Sequence, residues 1–257
     1  MARRAGSLLP LPMLPARPAL ALALAALAGC ATTAPAPPEA PVGVPAARAE
    51  LPLEVRWARR SAEHDALFLQ TYRAAAEHLR AVADTVRGDW AVVLDADETL
   101  LDNSLYQQER AEAGLGYTPE SWNAWVRREA ATALPGAAAF ADEVRALGGR
   151  VVVVTNRDDA VCPETRANLA AVGVVAAAVL CRTDEGDKNA RFEAVERGGA
   201  DGLPALRVVM WVGDNIQDFP GLGQDARRAG GAGLGAFGGR YWVLPNPMYG
   251  SWTENAE

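Results

Sequence analysis

Trp90 to Leu94 (WAVVL) is a run of five apolar residues that stops on Asp95-Ala96-Asp97-Glu98-Thr99. So short a run, rich in branched side chains, reads as a strand buried on both faces inside a parallel sheet. Open α/β sheets bind ligands just beyond the carboxyl ends of such strands. Two carboxylates leaving that end side by side are costly to bury unless a cation or hydrogen bonds compensate. A strand ending in Asp-x-Asp-x-Thr therefore points to a site that binds a metal ion and does phosphoryl chemistry.

The rest of the chain repeats this alternation. Leu69, Tyr72, Ala76, Leu79, Ala83 and Val86 recur at spacings of three and four, which predicts a helix over Ser61–Arg87 closed by Gly88-Asp89. Further helices are predicted from Thr118-Pro119, over Pro135–Leu147, Glu164–Val172 and Lys188–Arg197, each ending at glycine where one follows. Strands are predicted at Val151–Val154, Val174–Leu180, Arg207–Val212 and Tyr241–Leu244. Strands alternating with helices imply α/β architecture: a Rossmann-like parallel sheet with right-handed crossovers, flanked by helices. Residues 100–134 are long for a loop and carry aromatics, so they are expected to form a small helical cap over the crevice.

The chain has 257 residues, half of them hydrophobic, which suits a globular protein of one or two domains. Its net charge of −7, without a basic stripe, argues against a nucleic-acid partner. Arg3-Arg4, the short apolar stretch Pro18–Gly29 and Leu27-Ala28-Gly29-Cys30 resemble a bacterial lipoprotein signal, with cleavage before Cys30 and lipid attached to it. The Pro/Ala-rich segment after it reads as a tether. The expected layout is a signal peptide at 1–29, a tether at 30–54 and a catalytic domain at 55–257, lipid-anchored in the bacterial cell envelope at the outer membrane. Cys162 and Cys181 are then the remaining cysteines; they either pair, as an oxidising compartment allows, or stay as small buried thiols.

Four segments complete the pattern: Asp95-x-Asp97-x-Thr99, Thr155-Asn156-Arg157, Lys188, and Gly213-Asp214-x-x-x-Asp218. Their order and residue types resemble the four motifs of the haloacid dehalogenase superfamily. The words DADETLLDN (95–103), GDNIQDF (213–219) and LPNPMYGSW (244–252) are similar to those of the class C acid phosphatases, bacterial surface lipoproteins that act on nucleoside monophosphates and related esters. The resemblance covers roughly residues 55–252. It implies a haloacid dehalogenase-like fold with cap elements around 60–87 and 100–134, and acid phosphatase or 5′-nucleotidase activity. It also implies that Trp122 and Tyr249 sandwich an aromatic ring of the substrate.

The chemistry of the residues agrees. Asp95 is the natural nucleophile and would form an aspartyl-phosphate. Asp97 would protonate the leaving alcohol and later deprotonate water. Thr155 and Lys188 would stabilise the transferring group, with Asp218 positioning Lys188 or a metal-bound water. Carboxylate oxygens of Asp95 and Asp214 and the backbone carbonyl of Asp97 form an oxygen set that suits Mg²⁺. Asn156 and Asn103, with Tyr106, are expected beside the substrate.

Each residue also has a plainer role open to it. Asp97 could cap a turn, Thr155 could be a strand-end hydroxyl, Asp214 a turn residue and Lys188 a surface lysine; Trp122 and Trp125 could be cap core. The alternative to an enzyme is a surface lipoprotein that binds a nucleotide or phosphorylated ligand without turnover; a phosphotransferase would use the same residues. Two departures from the family stand out. Ala96 replaces a frequent leucine, and the sequence stops five residues after Trp252, where relatives often continue into helices that cover the pocket or build a dimer. A homodimer is the quaternary state the resemblance suggests.

Overall fold

The computed structural model describes residues 50–228, 231 and 233–255, so the expected signal, Cys30 and most of the tether lie outside the described residues. The elements run in order α1 (Leu53–Arg60), α2 (Ala62–Ala83), β1 (Trp90–Leu94), β2 (Leu101–Asp102), α3 (Ser104–Glu112), α4 (Pro119–Val126), β3 (Thr132–Ala133), α5 (Ala137–Ala146), β4 (Arg150–Asp158), α6 (Cys162–Ala171), β5 (Ala178–Arg182), α7 (Asn189–Arg197), β6 (Arg207–Gly213) and β7 (Tyr241–Val243). Five strands form one parallel sheet in the order β5-β4-β1-β6-β7.

The apolar run of β1 is explained by its place at the centre of that sheet. All five of its residues are buried. Alternate side chains serve two separate cores, as the twofold period of a strand requires. Trp90, Val92 and Leu94 join Phe68, Leu79, Phe140 and Val144 from α2 and α5 on one face. Ala91 and Val93 join Phe192 and Val195 from α7 on the other.

The helix expected over Ser61–Arg87 is shorter, and a second helix precedes it. Ser61 ends α1 and caps α2, its side chain accepting the amide of His64 at 3.1 Å. α2, expected as a cap element, covers a sheet face together with α5 and packs in the main core. α1 begins at Leu53, inside the segment expected as tether, because Val55 and Ala58 give it an apolar side to bury. The strand expected at Val174–Leu180 begins only at Ala178. Val174 is buried without being in the sheet and Val175 is exposed, so apolarity there marks packing of the loop that follows Gly173.

Residues 100–134 hold two helices and a small antiparallel pair, with Leu101 opposite Ala133 and Asp102 opposite Thr132. Thr118 caps α4 as expected, accepting the amide of Ser121 at 3.2 Å, with Pro119 in the first turn. Tyr106, Trp125 and Val126 run into the core shared with α2 and α5, which welds this insertion to the sheet. Cys162 and Cys181 form a disulfide between the start of α6 and β5, which resolves the two options left open for them.

Candidate active site

The motifs gather at the carboxyl ends of three adjacent strands: Thr155-Asn156-Arg157 within the last part of β4, and the acidic segments that follow β1 and β6. Asp95 continues β1, its amide donating to Val212 O at 3.0 Å. Asp214 follows Gly213 at the end of β6, and Asp218 closes the next turn, its Oδ2 accepting the amide of Asn215 at 2.8 Å. A Cβ on Gly213 would lie 2.3 Å from Asp218 Cβ, so only glycine lets Asp218 fold back over the strand end. Lys188 caps α7 and is buried. Its Nζ donates to Asp95 Oδ1 and, at 2.6 Å, to Asp218 Oδ1.

Carboxylate oxygens of Asp95, Asp214 and Asp218 all lie within 4.8 Å of one another. Lys188 is the one cation within salt-bridge distance of this trio among the described residues. Among the described residues Asp214 is held only by neutral groups: Asn246 Nδ2 donates to it at 2.8 Å and Thr99 Oγ1 at 3.4 Å. When all three ionise, two negative charges are left uncompensated. The electrostatics record this. Burial pushes Asp95 up to about 7, against the pull of Lys188 and with further push from Asp218 and Asp97. Burial, then Asp218 and Asp95, hold Asp214 well above the usual carboxylate range. Burial opposes the charge of Lys188, but Asp218 and Asp95 outweigh it and keep the ammonium protonated beyond its ordinary range. An all-oxygen donor set short of two positive charges fits a divalent cation.

Asp97 faces a different partner. Its Oδ1 accepts from Arg157 Nε at 2.8 Å and from Asn103 Nδ2 at 2.9 Å. Asn103, expected beside the substrate, is fully buried and engaged within the protein: its Oδ1 also accepts from Trp125 Nε1 at 2.8 Å and Arg157 Nη2 at 3.1 Å. It packs against Asp97 from inside the turn after β1. Tyr106 is likewise buried, its hydroxyl bonded to Ser121 Oγ at 2.8 Å. Thr155 is fully buried, its Oγ1 accepting the amide of Arg157 at 3.1 Å. Glu98, for which the sequence suggested no role, is buried at a left-handed φ of 50° and accepts the amide of Asn103 at 2.8 Å. Burial, then Asp97 and Asp214, hold its carboxyl well above the ordinary value.

Asp95, Lys188, Asp214 and Asp218 line a small acidic recess of about 150 Å³. Beside it lies a cleft of about 490 Å³ lined by Gln107, Tyr117, Trp122, Arg182 and Met248. Asp97, Asn156 and Tyr249 line both, so the two share a wall. Trp122 is half-buried at the cleft, whereas Trp125 is core, so the two tryptophans take different roles. Asn156 is fixed at the mouth, its Nδ2 donating to Gly186 O at 2.9 Å and its Oδ1 accepting from Arg191 Nη2 at 2.6 Å. Asn246 ties Asp214 to the turn that carries Tyr249, its Oδ1 accepting the amide of Met248 at 2.9 Å. Arg157, Asn246, Arg191 and Arg182 act through contacts across tens of residues, which no local pattern reveals; the position of Arg157 beside Asn156 and of Asn246 in the NPMY segment were the only hints.

A parallel sheet with Asp-x-Asp at the tip of its central strand, and lysine and aspartate brought in from the next loops, defines a haloacid dehalogenase-like protein. The chain belongs to the HAD superfamily, subfamily IIIB (Acid phosphatase), whose family model matches residues 39–252. The class C acid phosphatase from Bacillus anthracis is 31% identical, with a TM-score of 0.71 over 77% of this chain and 84% of that one. The same enzyme with tungstate bound superposes with a TM-score of 0.70. Acid phosphatase 1 of Solanum lycopersicum is 28% identical over 179 residues, a match that spans 68% of this chain and 64% of the tomato protein.

Proposed function

We propose that the protein is a divalent-metal-dependent acid phosphatase that hydrolyses phosphate monoesters, with nucleoside 5′-monophosphates as the substrate class. The observation that carries this reading is the trio Asp95, Asp214 and Asp218 sharing the single ammonium of Lys188. A pure binding protein does not need a nucleophile, so Asp95, Asp97, Lys188 and Asp214 together favour an enzyme. The relatives, acid phosphatases of Bacillus and tomato, support the same chemistry, and the tungstate held by the Bacillus enzyme is a tetrahedral oxyanion like phosphate.

Asp95, Asp214 and the backbone carbonyl of Asp97 would hold Mg²⁺, with Asp218 adjacent; when bound, the ion offsets the charge repulsion between phosphate and carboxylate. Asp95 attacks phosphorus and becomes the aspartyl-phosphate. Asp97 gives a proton to the leaving oxygen, then takes one from the water that hydrolyses the intermediate. Lys188, steadied by Asp218, sets positive charge against the transferring group, and the Thr155 hydroxyl donates to one of its oxygens. Trp122 and Tyr249 flank the leaving group, and stacking a base there contributes about 1–3 kcal/mol.

The anchor belongs to the same proposal: lipid on Cys30 tethers the enzyme to the cell envelope, at the outer membrane. The Cys162–Cys181 disulfide supports an oxidising compartment.

The test is phosphate release from p-nitrophenyl phosphate and a nucleotide panel that includes nicotinamide mononucleotide, with chelator and with Mg²⁺ restored. Turnover that stops with chelator and returns with magnesium is expected. Asp95→Asn should remain folded and lose turnover; retained activity would exclude Asp95 as nucleophile.

A further inference from the structure

Arg157 is a fully buried cation paired with one carboxylate, Asp97. Its Nη1 is buried without a hydrogen-bond partner. A buried ion pair adds little net stability, and an apolar pair of similar volume commonly serves a fold as well or better. An incompletely satisfied one serves it less still. The fold alone therefore does not account for Arg157; what it touches does. Its Nε and the Nδ2 of Asn103 both bind the same oxygen of Asp97, Oδ1. Oδ2 has no partner among the described residues, and Asp97 lines the cleft. The guanidinium also lies 5.9 Å from the ring of Trp122, on the wall where the leaving group is expected.

We infer that Arg157 is the positioning residue for the proton donor: by holding Oδ1 of Asp97 it presents Oδ2 to the leaving group, and it seats Trp122 with the same group. The inference rests on the proposed acid–base role of Asp97. In the first step the Oδ2 proton passes to the leaving oxygen as its bond to phosphorus breaks and the bond from Asp95 forms. In the second, Oδ2 takes a proton from the attacking water as the aspartyl-phosphate bond breaks. Arg157 itself neither gains nor loses a proton. A planar fork is suited to fixing one carboxylate oxygen; an ammonium at the same place supplies charge without that orientation.

The leaving group provides the test. p-Nitrophenolate departs without a proton, whereas the alkoxide of glycerol phosphate needs one. kcat/KM for both esters is measured on the magnesium-loaded parent enzyme, Arg157→Lys, Arg157→Ala and Asp97→Ala, with folding checked by thermal melting. Expected is a fall in the alkyl-to-aryl ratio of about tenfold or more in all three variants, within the range that general acid catalysis supplies. Guanidinium ion added to Arg157→Ala should restore part of the ratio and leave Asp97→Ala unchanged. An unchanged ratio in both Arg157 variants, with a fall in Asp97→Ala, overturns the role of Arg157 and leaves Asp97 as the acid. An unchanged ratio in Asp97→Ala overturns the acid assignment and the inference with it. Arg157→Lys retains the buried charge, so the comparison survives if the alanine variant fails to fold.

Discussion

At the scale of single residues, the site is a crowd of acids held short of balance, and its response to pH follows. Asp95 titrates at about 7 in the folded protein because burial and its acidic neighbours favour the protonated form. Its ordinary value, and so its value in the unfolded chain, is 3.8. A carboxyl group raised on folding binds its proton more tightly when folded. Its contribution to stability is therefore full below the unfolded value and is lost as pH rises through about 7. In chelator, the melting temperature should decline across that window more in the parent than in Asp95→Asn. Added Mg²⁺ should raise the melting temperature little at pH 4 and most near pH 8, since protons and metal compete for the same oxygens. A magnesium-induced shift independent of pH would contradict this account. Asp95, Lys188 and Asp214 were legible in the sequence because strand ends and helix starts fix where they emerge. The burial of Asn103 against Asp97 was not legible, because a side chain nine positions past the strand tip faces cleft or core according to the fold of the turn that carries it.

At the scale of elements, the insertion between β1 and α5 supplies one wall of the cleft, and β5 a flank of it. Trp122 projects from α4 to the cleft while Trp125, three positions on, anchors the helix through Asn103. Trp122→Ala should therefore leave the fold intact. It should raise KM for nucleotides about tenfold, in line with about 1–3 kcal/mol for one stacked base, and change glycerol phosphate far less. Equal losses for both esters would argue against stacking. The disulfide links β5 to α6 across 19 residues of sequence. Closing a loop of that size stabilises by about 3 kcal/mol, so Cys162→Ala with Cys181→Ala should lower the melting temperature by roughly 6–12 °C. A melting curve unmoved by reductant would show that the link does not constrain the unfolded chain. Strands β1, β4 and β6 were plain in the sequence because their apolar runs, Trp90–Leu94, Val151–Val154 and Val208–Val212, face a core on either side of the sheet. α1, α3 and the β2–β3 pair were not, since their form is set by packing on neighbours rather than by their own periodicity.

At the scale of the molecule, the order β5-β4-β1-β6-β7 makes the end of β1 the point where the chain's crossovers part to either side, and that is where a parallel sheet opens a crevice. The alternation of elements foretold a crevice, while the strand order that sets Asp95 between the β4 and β6 motifs is a property of the folded sheet. Among the described residues, those that line the recess and the cleft run from Asp95 to Tyr249, and none lies near Cys30 in sequence. Catalysis and anchoring should then be separable. Among the described residues no helix is long and apolar enough to cross a membrane. A net charge of −7 also gives no general attraction to anionic lipid surfaces. If lipid on Cys30 is the tie proposed above, Cys30→Ala should move the protein from the membrane fraction to the soluble one. Its kcat/KM for p-nitrophenyl phosphate should match that of the detergent-solubilised parent. Persistence in the membrane fraction would refute the lipid anchor; release with lost activity would mean that the anchored segment contributes to the cleft.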